Sequence, residues 1–275
     1  MKQVQICCIG CGNMGRSLLG GLLANGYPRR LLSGADPDPV QREKIHSLFG
    51  IEILADSLQV IEQADIVVLA VKPQLMAATV KTIAAGLVKQ RPLIISVAAG
   101  IRLSAISAWL QQDLPVIRAM PNTPALIQAG ATALYANAQV AEAQKETAET
   151  ILRSVGTVVW VDDESLLDTV TALSGSGPAY FFLVMEILEQ AAIELGLQPA
   201  QARLLTLETA LGAAKMALES EQDTGSLRRQ VTSPGGTTER ALAVLMQGGI
   251  EALLRQALRA AQTRSVELAD EFGKT

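Results

Sequence analysis

Val4 to Ile9 is a β-branched, apolar run that leads without a break into Gly10-Cys11-Gly12-Asn13-Met14-Gly15, and Leu18, Leu19, Leu22 and Leu23 follow at helical spacing. A buried strand, a GxGxxG turn and a helix in that order make a specific physical demand. Gly10 suits a tight turn, Gly12 lets backbone approach a pyrophosphate, and Gly15 lets helix and strand pack closely. The start of the helix then offers unpaired N–H groups to phosphate oxygens. A sharp structural turn with no ligand is the alternative reading.

The rest of the first half alternates as a dinucleotide fold requires. Strands are expected at 30–35, 51–54, 66–71, 93–98 and 116–118, with helices at 39–49, 58–63, 75–87, 101–109 and 139–155. Residues 156–161 read as an edge strand. Strands separated by helices of this length argue for right-handed crossovers and a mostly parallel sheet. The fold class is α/β: an N-terminal Rossmann-type dinucleotide-binding domain over 1–163, then a second, all-helical domain over 164–275.

In open parallel sheets ligands bind beyond the carboxyl ends of the strands. Three loops there carry weight: Lys72-Pro73-Gln74, Ala99-Gly100, and Met120-Pro121-Asn122-Thr123-Pro124, where two prolines stiffen the turn. Each alone is as compatible with a structural turn as with a site. Asp36 falls near the end of the second strand, about twenty residues past the glycine loop, where a carboxylate accepts hydrogen bonds from an adenosine ribose and repels a 2′-phosphate. That leans toward NAD, although Ser33 and the polar turn could rearrange and Arg42 is close by. A surface-turn aspartate is the competing reading.

The formal net charge is -4 with both signs interspersed, so electrostatics give no reason to expect nucleic acid or an anionic membrane as a partner. Met1 to Gly10 reads as a first strand rather than a signal peptide, and runs such as Ile66–Val71 and Leu93–Ala99 are too short to span a bilayer. Cys7, Cys8 and Cys11 have no fourth partner and are expected to be reduced thiols of a cytoplasmic protein. The only histidine, His46, is remote from them, so no metal site is expected.

After Asp162-Asp163-Glu164 the composition shifts to alanine, leucine and glutamine at helical spacing. Phe181, Val184, Met185, Leu188, Ala192 and Leu195 recur on one broad face, which core packing accounts for without a cofactor. Gly196 and Pro199 interrupt the helix and Gln201–Leu218 resumes it. Two glycine-rich segments stand at helix starts: Ser174-Gly175-Ser176-Gly177-Pro178-Ala179, and Ser233-Pro234-Gly235-Gly236-Thr237-Thr238 ahead of a helix through Ala241, Leu245 and Leu253. Both present small hydroxyls and free backbone N–H groups, an arrangement suited to a carboxylate; simple capping by Ser and Thr is the alternative.

The second half has no histidine, and its only lysines are Lys215 and Lys274. A carbonyl dehydrogenase wants a positioned acid–base group beside the carbonyl. A C=N bond takes its proton from solvent before hydride arrives and then needs mainly orientation and a matched field. The chain therefore leans toward imine reduction. Its rivals are a relative acting on another cyclic imine or an oxo acid, with Lys215 as the acid, and a nicotinamide-binding regulatory protein without turnover.

Over essentially its full length the chain resembles the pyrroline-5-carboxylate reductase family. The resemblance is carried by Ile9–Gly15, Ala70-Val71-Lys72-Pro73-Gln74, Val97-Ala98-Ala99-Gly100, Met120–Pro124, Ser174–Ala179 and above all Val231-Thr232-Ser233-Pro234-Gly235-Gly236-Thr237-Thr238. It implies reduction of 1-pyrroline-5-carboxylate to L-proline, the last step of proline biosynthesis, with NADPH or NADH as hydride donor. It implies an interlocked homodimer, sometimes built into a decamer. Carried over, Ser176, Gly177, Gly236 and Thr237 would hold the substrate carboxylate and Thr238 would be the catalytic residue, orienting the ring nitrogen. The cofactor would lie along Gly10, Gly12, Asn13, Met14, Gly15, Ser33, Asp36, Ser57, Ala70, Val71, Lys72, Pro73, Ala98, Ala99, Gly100 and Asn122. Many relatives that accept NADPH look like Asn or Ser followed by Arg where this chain has Ala35-Asp36; the departure puts an NADPH preference in doubt, and both nicotinamides are expected.

Overall fold

The computed structural model describes residues 4–273. The first positions of the Met1–Gly10 run, and Lys274, lie outside the described residues. Eight strands among them form one sheet: β1 (Ile6–Ile9), β2 (Leu32–Ala35), β3 (Ile53–Leu54), β4 (Ile66–Leu69), β5 (Leu93–Ser96), β6 (Val116–Met120), β7 (Gly130–Ala136) and β8 (Gly156–Trp160). Their order is β3-β2-β1-β4-β5-β6-β7-β8. Pairing is parallel from β3 through to β6, antiparallel between β6 and β7, and parallel again between β7 and β8. β8 is an edge strand, as expected.

Helices cover both faces of the parallel strands, which is why β1, β4 and β5 are buried along their whole length. They are α1 (Asn13–Ala24), α2 (Pro39–Phe49), α3 (Ser57–Ile61), α4 (Pro73–Gln90), α5 (Leu103–Leu110) and α6 (Glu142–Arg153). On one face Ile6 and Cys8 pack with Leu18, Leu22, Ile45 and Ile151; on the other Cys7 and Ile9 pack with Met76, Val80, Ile83 and Ile106. Local signals set the helix ends. Asp38 caps α2 by accepting the Val40 N–H, Pro39 opens it, and Gly50 ends it at φ 63°.

Two stretches differ in secondary structure from the sequence reading. A 3₁₀ segment at Thr123–Ile127 and the strand β7 follow the 120–124 turn, where no element was expected. Gly-Ala-Thr-Ala-Leu-Tyr-Ala has too many small residues to announce a strand by alternation. The final helix is also broken: α11 (Thr237–Gln247) stops at Gly248-Gly249, and α12 (Ile250–Phe272) starts afresh after Gly249 at φ 80°. A single helix through Leu253 is therefore incorrect, because two adjacent glycines end the first one.

The chain divides into two compact units, Met1–Ser176 with Ala260–Thr275, and Gly177–Arg259. Within the first unit, α7 (Leu166–Val170) buries Leu167 and Asp168. The second unit is helical: α8 (Gly177–Glu194), α9 (Pro199–Glu219), α10 (Thr224–Gln230), α11 and the first part of α12. α8 packs on α9, yet only Gly177 and Ala202 are buried in this unit. Phe181 is 66% exposed and Leu195 89%, with Val184 and Leu188 exposed as well. Core packing within the chain thus does not account for the α8 stripe: it faces outward. The stretch Leu166–Glu194 is long and apolar enough, by length and composition, to cross a membrane.

Candidate active site

The glycine loop joins β1 to α1, and its three glycines are required for three different reasons. Gly10 has φ 91°, and a Cβ there would lie 2.7 Å from the Ala70 carbonyl oxygen. A Cβ on Gly15 would collide with the Gly10 carbonyl oxygen and sit 2.9 Å from Cys8 Sγ. Gly12 is the opposite case, for a Cβ there would meet nothing within 4 Å. Nothing in the chain's own packing asks for glycine at 12, whereas close approach of a ligand to the backbone does. α1 begins at once with no side-chain cap, so its first N–H groups are free for an anion. A dinucleotide pyrophosphate fits this arrangement.

Beside the loop runs a cleft of about 680 Å³, lined by Gly10, Gly12, Asp36, Ser57, Ala70, Val71 and Lys72 among the expected residues. Asp38, Asp56, Thr79 and Thr82, which the sequence reading did not single out for this role, line it too. Asp36 is buried at the end of β2. Its Oδ2 accepts the Cys11 N–H at 2.7 Å and its Oδ1 the Asp38 N–H at 2.9 Å. The carboxylate therefore braces the glycine loop, and its remaining lone pairs stay available to a ribose. Arg42 donates through Nη1 to the carbonyl oxygens of Asp36, 3.0 Å, and Pro37, 2.8 Å.

Other expected cofactor residues stand outside the lining of that cleft. Asn13, exposed at the start of α1, accepts from Arg16, and Met14 packs partly against the core. Ser33 lies opposite Cys7 in the sheet register. Burial pushes the Cys7 thiol up to about 12, the Ser33 hydroxyl opposing this and Cys11 adding to it. Pro73 opens α4, which has no side-chain cap. Ala98 and Gly100 are buried in the loop after β5, where Gly100 has φ 72°. Asn122 is buried, and its carboxamide is already engaged: Nδ2 donates to the Ser174 carbonyl at 3.0 Å and Oδ1 accepts the Ala131 N–H at 2.9 Å.

The first of the two glycine-rich segments has a backbone peculiarity that composition does not announce. Thr171–Gly175 is a π-helical turn, closed by the Ser176 N–H donating to the Thr171 carbonyl at 2.8 Å. Such wide turns re-aim the residues at their end. Ser176 follows and Gly177 opens α8, where a Cβ would meet nothing within 4 Å. In the second unit Gly235 has φ 72° and its N–H donates to Glu239 at 2.8 Å. Gly236 precedes α11, which has no side-chain cap, so the N–H groups of Thr237 and Thr238 are left free. The alternative of Ser or Thr caps fails at α11.

One cluster in the first unit escaped the sequence reading. Arg118 on β6 is almost fully buried; its Nη1 lies 3.0 Å from Glu164 Oε1 and its Nη2 3.9 Å from Asp168 Oδ1. The same Glu164 oxygen accepts the Leu103 N–H at 2.8 Å, and Asp168 accepts the Ser265 hydroxyl at 2.7 Å. These bonds tie the loop after β5 and the lead-in to the π turn to one strand. A lone arginine within an apolar strand was the available signal.

The likeness to known proteins extends across both units. The family model described as pyrroline-5-carboxylate reductase dimerisation matches residues 164–268, and one described as NADP oxidoreductase, coenzyme F420-dependent, matches residues 5–100. A pyrroline-5-carboxylate reductase of Pseudomonas aeruginosa is 51% identical over 274 residues, 100% of both chains. The structure of a pyrroline-5-carboxylate reductase from Coxiella burnetii superposes with TM-score 0.93 at 44% identity, covering 98% of this chain and 99% of that one. That of a Plasmodium falciparum pyrroline carboxylate reductase with NADP bound does so with TM-score 0.87 at 27% identity, over 98% and 99%. With a relative of that identity aligned from end to end, this chain belongs to the pyrroline-5-carboxylate reductase family.

Proposed function

We infer that the chain reduces 1-pyrroline-5-carboxylate to L-proline with NADPH or NADH as hydride donor, the closing step of proline biosynthesis. The observation that carries this reading is the end-to-end 51% identity to a protein of that name, and the empty space over Gly12 supports its cofactor half. The reduced nicotinamide supplies the hydride. The chain's own residues bind and orient. Gly10, Gly12, Asn13, Met14 and Gly15 present backbone N–H groups to the pyrophosphate; Ser33, Asp36 and Ser57 serve the adenosine end; Ala70–Pro73, Ala98–Gly100 and Asn122 serve the nicotinamide end, Asn122 through the Ser174 carbonyl that it holds.

Ser176, Gly177, Gly236 and Thr237 take the substrate carboxylate on hydroxyl and backbone donors. Thr238 orients the ring nitrogen, which carries a proton from solvent and becomes the secondary amine as hydride adds to the adjacent carbon. Charge on the carboxylate is met by fixed N–H dipoles, so no nucleophile and no acid side chain is required. Lys215 pairs with Glu219 at 3.8 Å on an exposed face, which weighs against its being the acid of a carbonyl reduction. The functional division of labour falls at 163/164, dinucleotide before and substrate and self-association after. The reading further includes a homodimer, assembled in multiples up to a decamer, no nucleic-acid partner, and work in the cytoplasm; a second copy rather than a membrane covers the apolar α8 face.

Thr238→Ala tests the assignment most sharply. Turnover or affinity for the imine falls by about tenfold or more, the scale of one lost hydrogen bond to a charged group, while dinucleotide affinity measured by calorimetry stays within about twofold. Loss of dinucleotide binding alone would contradict the role given to Thr238.

A further inference from the structure

Resting on the dinucleotide reading above, we propose that this chain is built for NADH and discriminates against the 2′-phosphate of NADPH, through an acidic wall on the adenosine side of the cleft. Three carboxylates line the cleft, Asp36, Asp38 and Asp56, and Lys72 is the one cation in its lining. Strand order separates them. Asp36 and Asp38 follow β2 and Asp56 follows β3, on one side of β1, whereas Lys72 follows β4 on the other side. With strands spaced by about 4.8 Å, the ends of β2 and β4 are about 10 Å apart, close to a Debye length in physiological salt. A 2′-phosphate on the adenosine ribose would therefore meet the carboxylates at short range and the ammonium only at long range.

The detailed geometry fixes that wall in place. Asp36 cannot swing aside without releasing the Cys11 N–H, 2.7 Å away, and so loosening the loop that receives the pyrophosphate. Asp38 and Asp56 are held as helix caps, accepting the N–H groups of Val40 and Leu58 at 2.9 Å each. Arg42, on α2 just past Asp36 and Asp38, is drawn back onto the carbonyl oxygens of Asp36 and Pro37 and is absent from the cleft lining. A ribose bearing free 2′- and 3′-hydroxyls suits this wall, since hydroxyls donate to carboxylates. A phosphate dianion, an acceptor only, does not.

Calorimetric titration of the full-length protein with ADP-ribose and with 2′-phospho-ADP-ribose tests this without recourse to turnover. ADP-ribose binds at least about tenfold more tightly, the gap narrows as salt is raised, and it narrows about threefold in the Asp38→Asn/Asp56→Asn variant, whose amides keep the capping acceptors while losing the charge. Arg42→Ala weakens both ligands alike. Equal or tighter binding of the 2′-phosphorylated ligand, or a selective loss of it in Arg42→Ala, would overturn the proposal and leave the dinucleotide reading standing. Binding of neither ligand would overturn both.

Discussion

The two compact units use apolar residues in opposite ways. The first folds most of them inward: β1, β4 and β5 are buried along their whole length, Ile94, Ile95 and Ile106 are at zero exposure, and even its charged Arg118 is enclosed. The second turns them outward, with Phe181, Phe182, Leu204, Leu211 and Leu218 all exposed and almost nothing buried. A helical unit of this composition satisfies its backbone internally but gains little from burial in one chain. Each Phe or Leu covered by a partner contributes about 1.5–3 kcal/mol, so a handful decides between association and exposure. The match of residues 164–268 to a dimerisation family agrees with that difference.

Breaking the outward face is the strongest test of the contrast. Phe182→Glu with Leu211→Glu places two charges on it; sedimentation should show the assembled species lost and turnover falling at least tenfold, by the burial forgone. Dinucleotide binding by the first unit should persist. A native-sized assembly in this variant would remove the basis for the comparison.

A smaller effect separates the units by their ion pairs. Arg118→Ala leaves the buried Asp168 and the half-buried Glu164 without their cation and should cost about 3 kcal/mol in urea unfolding. Arg255→Ala, whose pair with Glu251 in the second unit is solvent-exposed, should cost no more than about 0.5 kcal/mol. Equal costs would mean that Arg118 is not the tie between β6, the loop after β5 and α7 that its bonds describe.

The finest test lies within the glycine loop. Gly15→Ala must displace the Gly10 carbonyl and should lose about 1–3 kcal/mol of stability. Gly12→Ala meets nothing in the chain; it should leave thermal stability almost unchanged and weaken dinucleotide binding by about tenfold or more. If Gly12→Ala destabilised the protein as much as Gly15→Ala, the space over Gly12 would not be a ligand's.

Legibility in the sequence follows the same division. In the first unit most elements are specified locally: Asp38, Pro39 and Gly50 bound α2 to the residue, and the apolar runs of β1, β4 and β5 declare strands enclosed on both sides. β7 escaped because Gly130, Ala131, Ala133 and Ala136 carry no alternation, and its pairing with β6 is set by the sheet rather than by its own side chains. In the second unit the spacing of Phe181, Val184 and Leu188 defined a face correctly, but periodicity says only that a face is apolar, not what covers it. The glycine motifs were visible as motifs. The brace from Asp36 to Cys11, the π turn before Ser176 and the Arg118 cluster depend on residues distant in sequence or on backbone geometry, which spacing does not encode.

The most direct test of the central claim is nicotinamide oxidation by the purified protein, followed separately with NADH and NADPH on addition of 1-pyrroline-5-carboxylate. Rapid oxidation that requires the imine and yields L-proline is the predicted result, with NADH the faster donor. No oxidation with either donor, in protein shown to bind dinucleotide, would contradict the account.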